Sequence, residues 1–561
     1  MINRAFQFLS SEVRGLHAAV YVLAISSLLS SILALLRDRL LAYSFGAGTQ
    51  LDLYYAAFRI PDFLFVCLGA LVSVYMLIPE LARRSDAEQK DYFDSIIAGF
   101  SLFAIVISSI VALLAPFFLE ILFPQFVAAG TLPVLVMLTR IMLLQPILLG
   151  FSNILAAITQ ARHRYALYSI SPLLYNVGII FGVLVLYPFL GLSGLAWGVV
   201  LGALMHLGVQ IPSVASDGFL QRFPRLRERG AILQTAALSV PRALALSMSQ
   251  IAFIGLTALA GTLATGSIAV FMFAFNLQAV PLGIIGASYS VAAFPTLARA
   301  LSSGNRSEFM DHVSVAARQV LFWSLPATAL IIVLRAHIVR VILGSGAFDW
   351  TDTRLTAAAL AVFSIALVAQ GMMLLVVRGY YAAGRTFVPF FISCAIAATT
   401  VALGFTFVAV ARAADVLKLL QSVFRLTDVP GSEVLALPLA YTLASVIGTI
   451  VLVIHFDRRF GDFVEKIRIS FMQSILAAVG AGLAAYATLT IVGPITFAST
   501  LASVLARGFI AGVVGLGAAG FVYALLRNQE YAENLEAIRS RLWRKPALDI
   551  APLVSAEDVA Q

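Results

Sequence analysis

Apolar runs of twenty or more residues recur from one end of this chain to the other, separated by short polar or glycine-containing breaks. Such a run, wound as an α-helix, is long enough to cross the roughly 30 Å hydrocarbon core of a bilayer. The pattern predicts membrane-spanning helices near 16–43, 51–82, 92–122, 131–160, 166–188, 193–213, 230–261, 267–299, 308–336, 353–383, 387–410, 433–455, 468–492 and 498–526. The reading is therefore an all-α polytopic membrane protein with about fourteen spans. The breaks alternate in charge. Those after even-numbered spans carry Arg83, Arg84 and Lys90, then Arg162 and Arg164, Arg222, Arg225, Arg227 and Arg229, Arg299 and Arg306, Arg385, and Arg458, Arg459 and Lys466. Most odd-numbered breaks, such as 44–50, 123–130, 189–192, 262–266 and 493–497, carry no Lys or Arg. Basic residues are retained on the cytoplasmic side, so both termini are expected there.

Two segments show helical amphipathicity without the length to span. In 412–426, Val416, Leu420 and Val423 share a face and Arg412, Lys418 and Arg425 lie elsewhere, which fits either a helix lying on the outer membrane surface or an ordered connecting loop. In 528–545, Tyr531, Leu535, Ile538 and Leu542 oppose Glu and Arg, which predicts a cytoplasmic interfacial helix followed by a short disordered tail. The first residues, MINRAFQFLSSEVRG, are short and amphipathic, precede a full-length span and lack a signal-peptide cleavage pattern.

An internal repeat is visible in the apolar pattern. The second span contains AAFRIPDFL and ends in IPELARR; the eighth contains FAFNLQAVPLG and ends in FPTLARA. Pro79, Leu81 and Ala82 recur as Pro295, Leu297 and Ala298, each trio followed by an arginine, at a separation of 216 residues. Six spans separate the copies, so both have the same orientation, as in a parallel repeat about an axis along the membrane normal. The expected organisation is an N-terminal lobe (1–215), a basic loop (216–229), a C-terminal lobe (230–460), a further helix pair (461–527) and a cytoplasmic helix with tail (528–561). Two facing lobes enclose a central cavity.

Composition agrees and narrows the chemistry. Of 561 residues 61% are hydrophobic and only 12% charged, with a mean hydropathy of +0.97, against about 25% charged in soluble domains. The net charge of +9 is what basic cytoplasmic loops produce in a membrane protein, and nucleic acid is not expected as a partner. Only Cys67 and Cys394 occur, both inside apolar runs, which excludes a disulfide framework or a cysteine-built metal site. The six histidines are scattered without metal-ligand spacing. A membrane-embedded glycosyltransferase would need a long polar loop with carboxylates, and no loop here is long or acidic enough. No metal and no cofactor is expected, and the chain reads as a monomer among membrane lipids.

One stretch breaks the apolar pattern. Between Ser30 and Leu64, Arg37, Asp38, Arg39, Asp52, Arg59 and Asp62 fall in what otherwise reads as two apolar helices joined by Gly-Ala-Gly. Each charge at a bilayer centre costs about 2.5–3.5 kcal/mol even on insertion scales, so these must face protein, water or a ligand. The pattern RD…FGAG…D…AFR-x-P, together with VPLGIIGASYSVAAFPTLAR in the eighth span, resembles the MurJ (MviN) family of lipid II flippases in the MOP exporter superfamily. The resemblance covers nearly the whole chain. It implies movement of a polyprenyl-pyrophosphate-linked peptidoglycan precursor from the cytoplasmic to the periplasmic leaflet of the bacterial inner membrane. One lobe would swing against the other, the lipid tail would lie in a groove beside the last two helices, and coupling to membrane potential or a monovalent ion is possible.

The family's first span reads S-R-x-L-G-x-x-R-D, whereas here Ser31 and Ala34 stand for the first arginine and the glycine. Arg37, Asp38, Asp52, Arg59 and Pro61 match. A further family arginine falls near Phe65, and Asn276 replaces the arginine of the eighth span. An anionic lipid-linked cargo calls for guanidinium groups, which stay charged and donate bidentate hydrogen bonds. Arg37 and Arg59 are the leading ligands, with Arg242 and Asn276 beside them; Asp38 and Asp52 are the expected partners holding the arginines when the cavity is empty. Two alternatives stay open: a static structural ion-pair network for these four charges, and simple snorkelling for Arg242. Arg140, inside the fourth span, is a weaker candidate. Pro281, Gly283 and Gly286 form the best hinge candidate, since proline removes a backbone bond and glycine permits close approach. Other MOP-type flippases of lipid-linked oligosaccharide and a transport-inactive scaffold are the competing functions.

Overall fold

The computed structural model describes residues 16–72, 77–78, 80–81, 83–162, 164–220, 224–226, 228–496 and 499–543. Its elements are α1 (Leu16–Phe45), α2 (Thr49–Leu71), α3 (Asp86–Leu122), α4 (Leu132–Ala161), α5 (Tyr165–Leu190), α6 (Leu192–Ser216), α7 (Arg229–Gly261), α8 (Ser267–Ser302), α9 (Arg306–Ile342) and α10 (Trp350–Ala382). They continue with α11 (Phe387–Ala411), α12 (Ala414–Phe424), α13 (Ser432–Phe460), α14 (Phe463–Val492), α15 (Leu501–Leu525) and α16 (Gln529–Trp543). Among the described residues thirteen helices are long and apolar enough to cross a membrane, and the thirty-residue α1 occupies the place of the remaining expected span. The two amphipathic segments are the helices α12 and α16. Of the repeated trio, Pro79 and Ala82 lie outside the described residues.

Helix ends follow local chemistry. Ser85 and Glu88 form a capping box at the start of α3, and Asp349 with Asp352 does the same for α10. Asn305 accepts from the Glu308 amide at the start of α9. With no hydrophobic drive between helices in lipid, close packing depends on small residues. The α5–α6 contact shows this: a Cβ on Gly178 would lie 2.2 Å from the Gly202 Cα, and one on Gly198 2.5 Å from the Gly182 Cα.

The helix pairings repeat with an offset of six spans. In the first half α1 packs on α5, α2 and α3 on α4, and α6 on both α4 and α5; in the second, α7 packs on α11, α8 and α9 on α10, and α13 on both α10 and α11. The remaining spans α14 and α15 pack on each other and on α9.

The distribution of the core decides where space is left. On the side of the charge-poor breaks, one apolar cluster joins both halves, including Leu51, Tyr54, Phe123, Leu138, Phe271 and Phe363. On the side of the basic breaks it divides into a first-half cluster around Tyr92, Phe100 and Leu155 and a second-half cluster around Phe309, Tyr380 and Phe456. The halves are thus sealed at one face and parted toward the other. Along one flank of the parting α2 packs against α7, where Cys67 Sγ lies 3.2 Å from Ser247 Oγ.

Candidate functional site

The turn between α1 and α2 packs directly against the second half of the molecule. Asp52, in the first turn of α2 and only 5% exposed, accepts hydrogen bonds from the backbone N–H groups of Gly266 (2.6 Å) and Ala269 (2.9 Å) at the start of α8. A helix N-terminus presents unpaired donors and positive partial charge, so a carboxylate is its natural partner. Arg39 makes the complementary contact, donating to the Val341 (2.5 Å) and Ile342 (3.4 Å) carbonyls at the end of α9. The Ala47 N–H donates to Asp352 Oδ2 at 3.0 Å, and the Ala347 N–H to the Tyr43 carbonyl at 2.9 Å. Backbones meet here directly. A Cβ on Gly46 would stand 2.5 Å from the Ala347 oxygen, on Gly266 2.1 Å from the Ala47 oxygen, and on Gly346 2.4 Å from the Tyr43 oxygen. All three glycines also have positive φ, a conformation that side chains other than glycine rarely adopt.

This corrects the role expected for Asp52. It makes no ion pair among the described residues, because α2 starts at Thr49 and turns Asp52 toward α8 rather than toward the arginines. The carboxylate that meets Arg59 is Asp62, one turn on, at 3.5 Å, a residue not among the partners expected from the sequence. Asp38 does hold Arg37, with Oδ1 2.9 Å from both Nε and Nη2.

Away from the junction the charges border open space. Arg37 also donates to Asn176 Oδ1 at 3.1 Å, and Asn276 Nδ2 donates to Asp38 Oδ2 at 3.0 Å. Arg59 is 4% exposed; its Nε donates to the Tyr55 carbonyl at 3.1 Å and its guanidinium lies 5.3 Å from the Phe253 ring centre. Three cavities meet around Asn276. One of about 630 Å³ lies between α1 and α8, bordered by Ser31, Arg37, Asp38 and Gly283. A second of about 190 Å³ is walled by both Arg37 and Arg59, with Tyr54, Tyr55 and Tyr175. The third, about 370 Å³, passes Arg59 and Asp62 into the second half toward Ser249, Gln250, Gln370 and Thr400. The structure therefore brings Arg37, Arg59, Asp38 and Asn276 to the walls of three adjoining cavities.

The Arg242 side chain lies outside the described residues. Arg140 is exposed and donates to the Ala112 carbonyl of α3 at 2.9 Å, away from these cavities. At the hinge candidate, α8 departs from α-geometry: Gly283–Ala287 forms a π-helical segment just after Pro281. Gly286 is pressed against α10, where a Cβ would lie 2.9 Å from the Gly371 Cα, whereas Gly283 faces open space. Sequence reasoning missed Asn176, the Arg37 partner on α5, and the buried Gln278–Gln370 pair between α8 and α10 (3.2 Å). The only available signal was a lone amide in an apolar run.

A family model described as "Lipid II flippase MurJ" matches residues 41–505. A "Probable lipid II flippase MurJ" of Buchnera aphidicola subsp. Acyrthosiphon pisum is 27% identical over 381 residues, 65% of this chain and 73% of the relative. The "Lipid II flippase MurJ" of Burkholderia cenocepacia is 24% identical over 374 residues, 64% and 71% of the two chains. Among solved structures, "Lipid II flippase MurJ, inward closed conformation" superposes with a TM-score of 0.71 at 21% identity, over 91% of this chain and all of that one. An inward-facing multidrug resistance MATE transporter of the MOP superfamily gives 0.61 at 14% identity, over 80% and 99%. The fold is thus shared across MOP transporters, and with its family model matched over most of its length this chain belongs to the lipid II flippase MurJ family.

Proposed function

We propose that this protein is a flippase that carries a polyprenyl-pyrophosphate-linked peptidoglycan precursor, lipid II, across the bacterial inner membrane. The observation that carries the reading is the set of three adjoining cavities around Asn276, which Arg37 and Arg59 border from the two arms of the α1–α2 hairpin. Family membership supplies the class of cargo. Both termini lie in the cytoplasm on the charge pattern of the breaks, so the basic side of the molecule is the cytoplasmic side.

The geometry supports a sequence of events. The six-span offset in helix pairing supports two lobes, 1–215 and 230–460, moving against each other. With the charge-poor face sealed at Asp52 and Arg39, the space between them is entered from the cytoplasmic half, between α1 and α8. A pyrophosphate arriving there competes with Asp38 for Arg37 and with Asp62 for Arg59. Each resting carboxylate keeps its buried guanidinium from being unpaired, which would be costly, and displaces the phosphate again at release. Asn276, already bonded to Asp38, offers a neutral donor where an arginine would hold the anion more tightly. Arg242, within α7, is a further ligand candidate. Rocking requires the Asp52 and Arg39 contacts to break and α8 to bend, with the segment after Pro281 as hinge. The protein acts as a monomer, driven by membrane potential or a monovalent ion.

The test is replacement: the chain is expressed in a bacterium depleted of its own lipid II flippase. Growth is the expected outcome. Absence of growth from a chain that reaches the membrane at normal levels overturns the lipid II assignment.

A further inference from the structure

The short helix α12 (Ala414–Phe424) begins two residues after α11 ends at Ala411, so its first turn lies within about 10 Å of the end of a membrane span. Residues three and four apart share a side of a helix, and the α12 side chains sort into three tracks on that spacing. Leu417, Gln421 and Phe424, all half-buried, face the protein: Phe424 packs on the core cluster of the sealed face, and Gln421 Nε2 donates to Ser432 Oγ at 2.9 Å. Just beyond, Leu426 and Val429 are buried and the Arg425 carbonyl accepts from Arg354 of α10, which fixes the far end. Leu419 and Val423 form the second track and are 63% and 64% exposed. Lys418 and Ser422 form the third and are exposed as well. A helix with protein on one side, bare aliphatic side chains on the next and polar ones on the last has the three sectors of an interfacial position.

Charge names the surface. Arg412, Lys418 and Arg425 make no ion pair among the described residues, and within 412–428 only Asp415 offsets them, because Asp428 is held by Arg354 at 2.6 Å. Arg335 of α9 adds a fourth cation: its Nη1 donates to the Ile332 carbonyl at 2.7 Å, it makes no ion pair among the described residues, and the charge it faces is that of Arg425. Guanidinium groups gathered without an acid suit a phosphate. We propose that α12 docks on the outer leaflet, with Leu419 and Val423 at the hydrocarbon boundary and Arg335, Arg412, Lys418 and Arg425 holding the phosphates of anionic phospholipid. The occupant is a lipid surface because the bare track lies where a span ends and cations flank it. The link from α12 to α13 touches the α7–α8 turn, where a Cβ on Gly431 would lie 3.3 Å from the Ala264 Cβ. The docked helix thereby braces the rim beside Gly266. The outer placement rests on the orientation given by the charge pattern, and the docking is independent of the cargo.

The experiment uses the full-length chain with Cys67 and Cys394 replaced by alanine and a bimane on Ser422→Cys. It is reconstituted in phosphatidylethanolamine vesicles containing phosphatidylglycerol or phosphatidylcholine, each with a nitroxide near the top of the acyl chain. Phosphatidylglycerol is expected to quench the bimane at an about tenfold lower mole fraction than phosphatidylcholine. Lys418→Gln with Arg425→Gln, both exposed, is expected to bring the two curves together. Leu419→Ser with Val423→Ser, at positions that do not endanger folding, is expected to weaken quenching by both lipids. Absence of quenching by either lipid overturns the docking, as does quenching that the serine variant leaves unchanged, and equal quenching by the two lipids overturns the anionic preference. In spheroplasts an impermeant maleimide is expected to label Ser422→Cys without lysis. Labelling only after lysis overturns the outer placement and the orientation of the flippase reading with it, whereas failure of the chain to replace a lipid II flippase in cells overturns the cargo assignment and leaves the docking standing.

Discussion

Six charges lie within twenty-six residues of one hairpin, yet those of its tip and those of its arms are satisfied in opposite ways. At the tip, Arg39 and Asp52 are met by backbone groups at helix ends across the molecule, where glycines let main chains touch. In the arms, Arg37 and Arg59 are met by the neighbouring carboxylates Asp38 and Asp62, beside empty space. Backbone partners cannot be exchanged without moving a helix, whereas a side-chain carboxylate can be displaced by another anion. The tip holds the two halves together, and on the proposed reading the arms change partners.

The comparison can be broken most directly in the arms. Arg37→Ala and Arg59→Ala are each expected to abolish growth in the replacement assay, since on the proposed reading each removes a charge-assisted hydrogen bond to the cargo worth about 1.5–3 kcal/mol. Normal growth with both variants would place the anion elsewhere. Asp52→Ala should act on the tip instead, leaving two buried N–H groups unpaired at about 1–3 kcal/mol. An Ala47→Cys reporter should then react about five- to hundredfold faster with an impermeant maleimide. An unchanged rate would show that Asp52 does not hold the junction.

Smaller effects sharpen the contrast. Gly346→Ala, with φ at +63° and the Tyr43 backbone 2.4 Å from the new Cβ, should lower the Tm in detergent by an amount equivalent to about 1–3 kcal/mol. Gly283→Ala, facing open space in a helix, should be neutral or stabilising by up to about 1 kcal/mol; a loss comparable to that of Gly346→Ala would deny the tip its special rigidity. The smallest change is expected at the exposed rim. Asp428 accepts Arg354 at 2.6 and 2.7 Å, and these hydrogen bonds hold its carboxyl below the usual range. A folded-state value lowered in this way adds stability that is present above about pH 3.9 and is lost as pH falls through the lowered value. Asp428→Asn should therefore shift the Tm slightly and equally from pH 5 to pH 8, with the difference from the parent vanishing only in acid.

Much of this was open to reading in the sequence. Span positions followed from run length, and α12 and α16 from their apolar faces. Arg37 with Asp38 was readable because adjacent residues of opposite charge in an apolar run have few other partners. Asp52 was not, because its partners are the backbone amides of Gly266 and Ala269, more than two hundred residues away, and a backbone donor leaves no mark in a sequence. Asp62 was undervalued for the converse reason: its spacing of three from Arg59 is also that of an exposed surface pair, and only burial distinguishes the two.

By itself, then, the sequence determined the membrane class, the spans, the family pattern and which residues bear charge, since these depend on local apolar length and side-chain chemistry. Tertiary structure alone decided which charge meets which partner, where the core divides to leave the cavities around Asn276, and that Glu530 is buried between α9 and α14. Those outcomes depend on contacts between helices far apart in the chain, and periodicity within one helix carries no information about its neighbours.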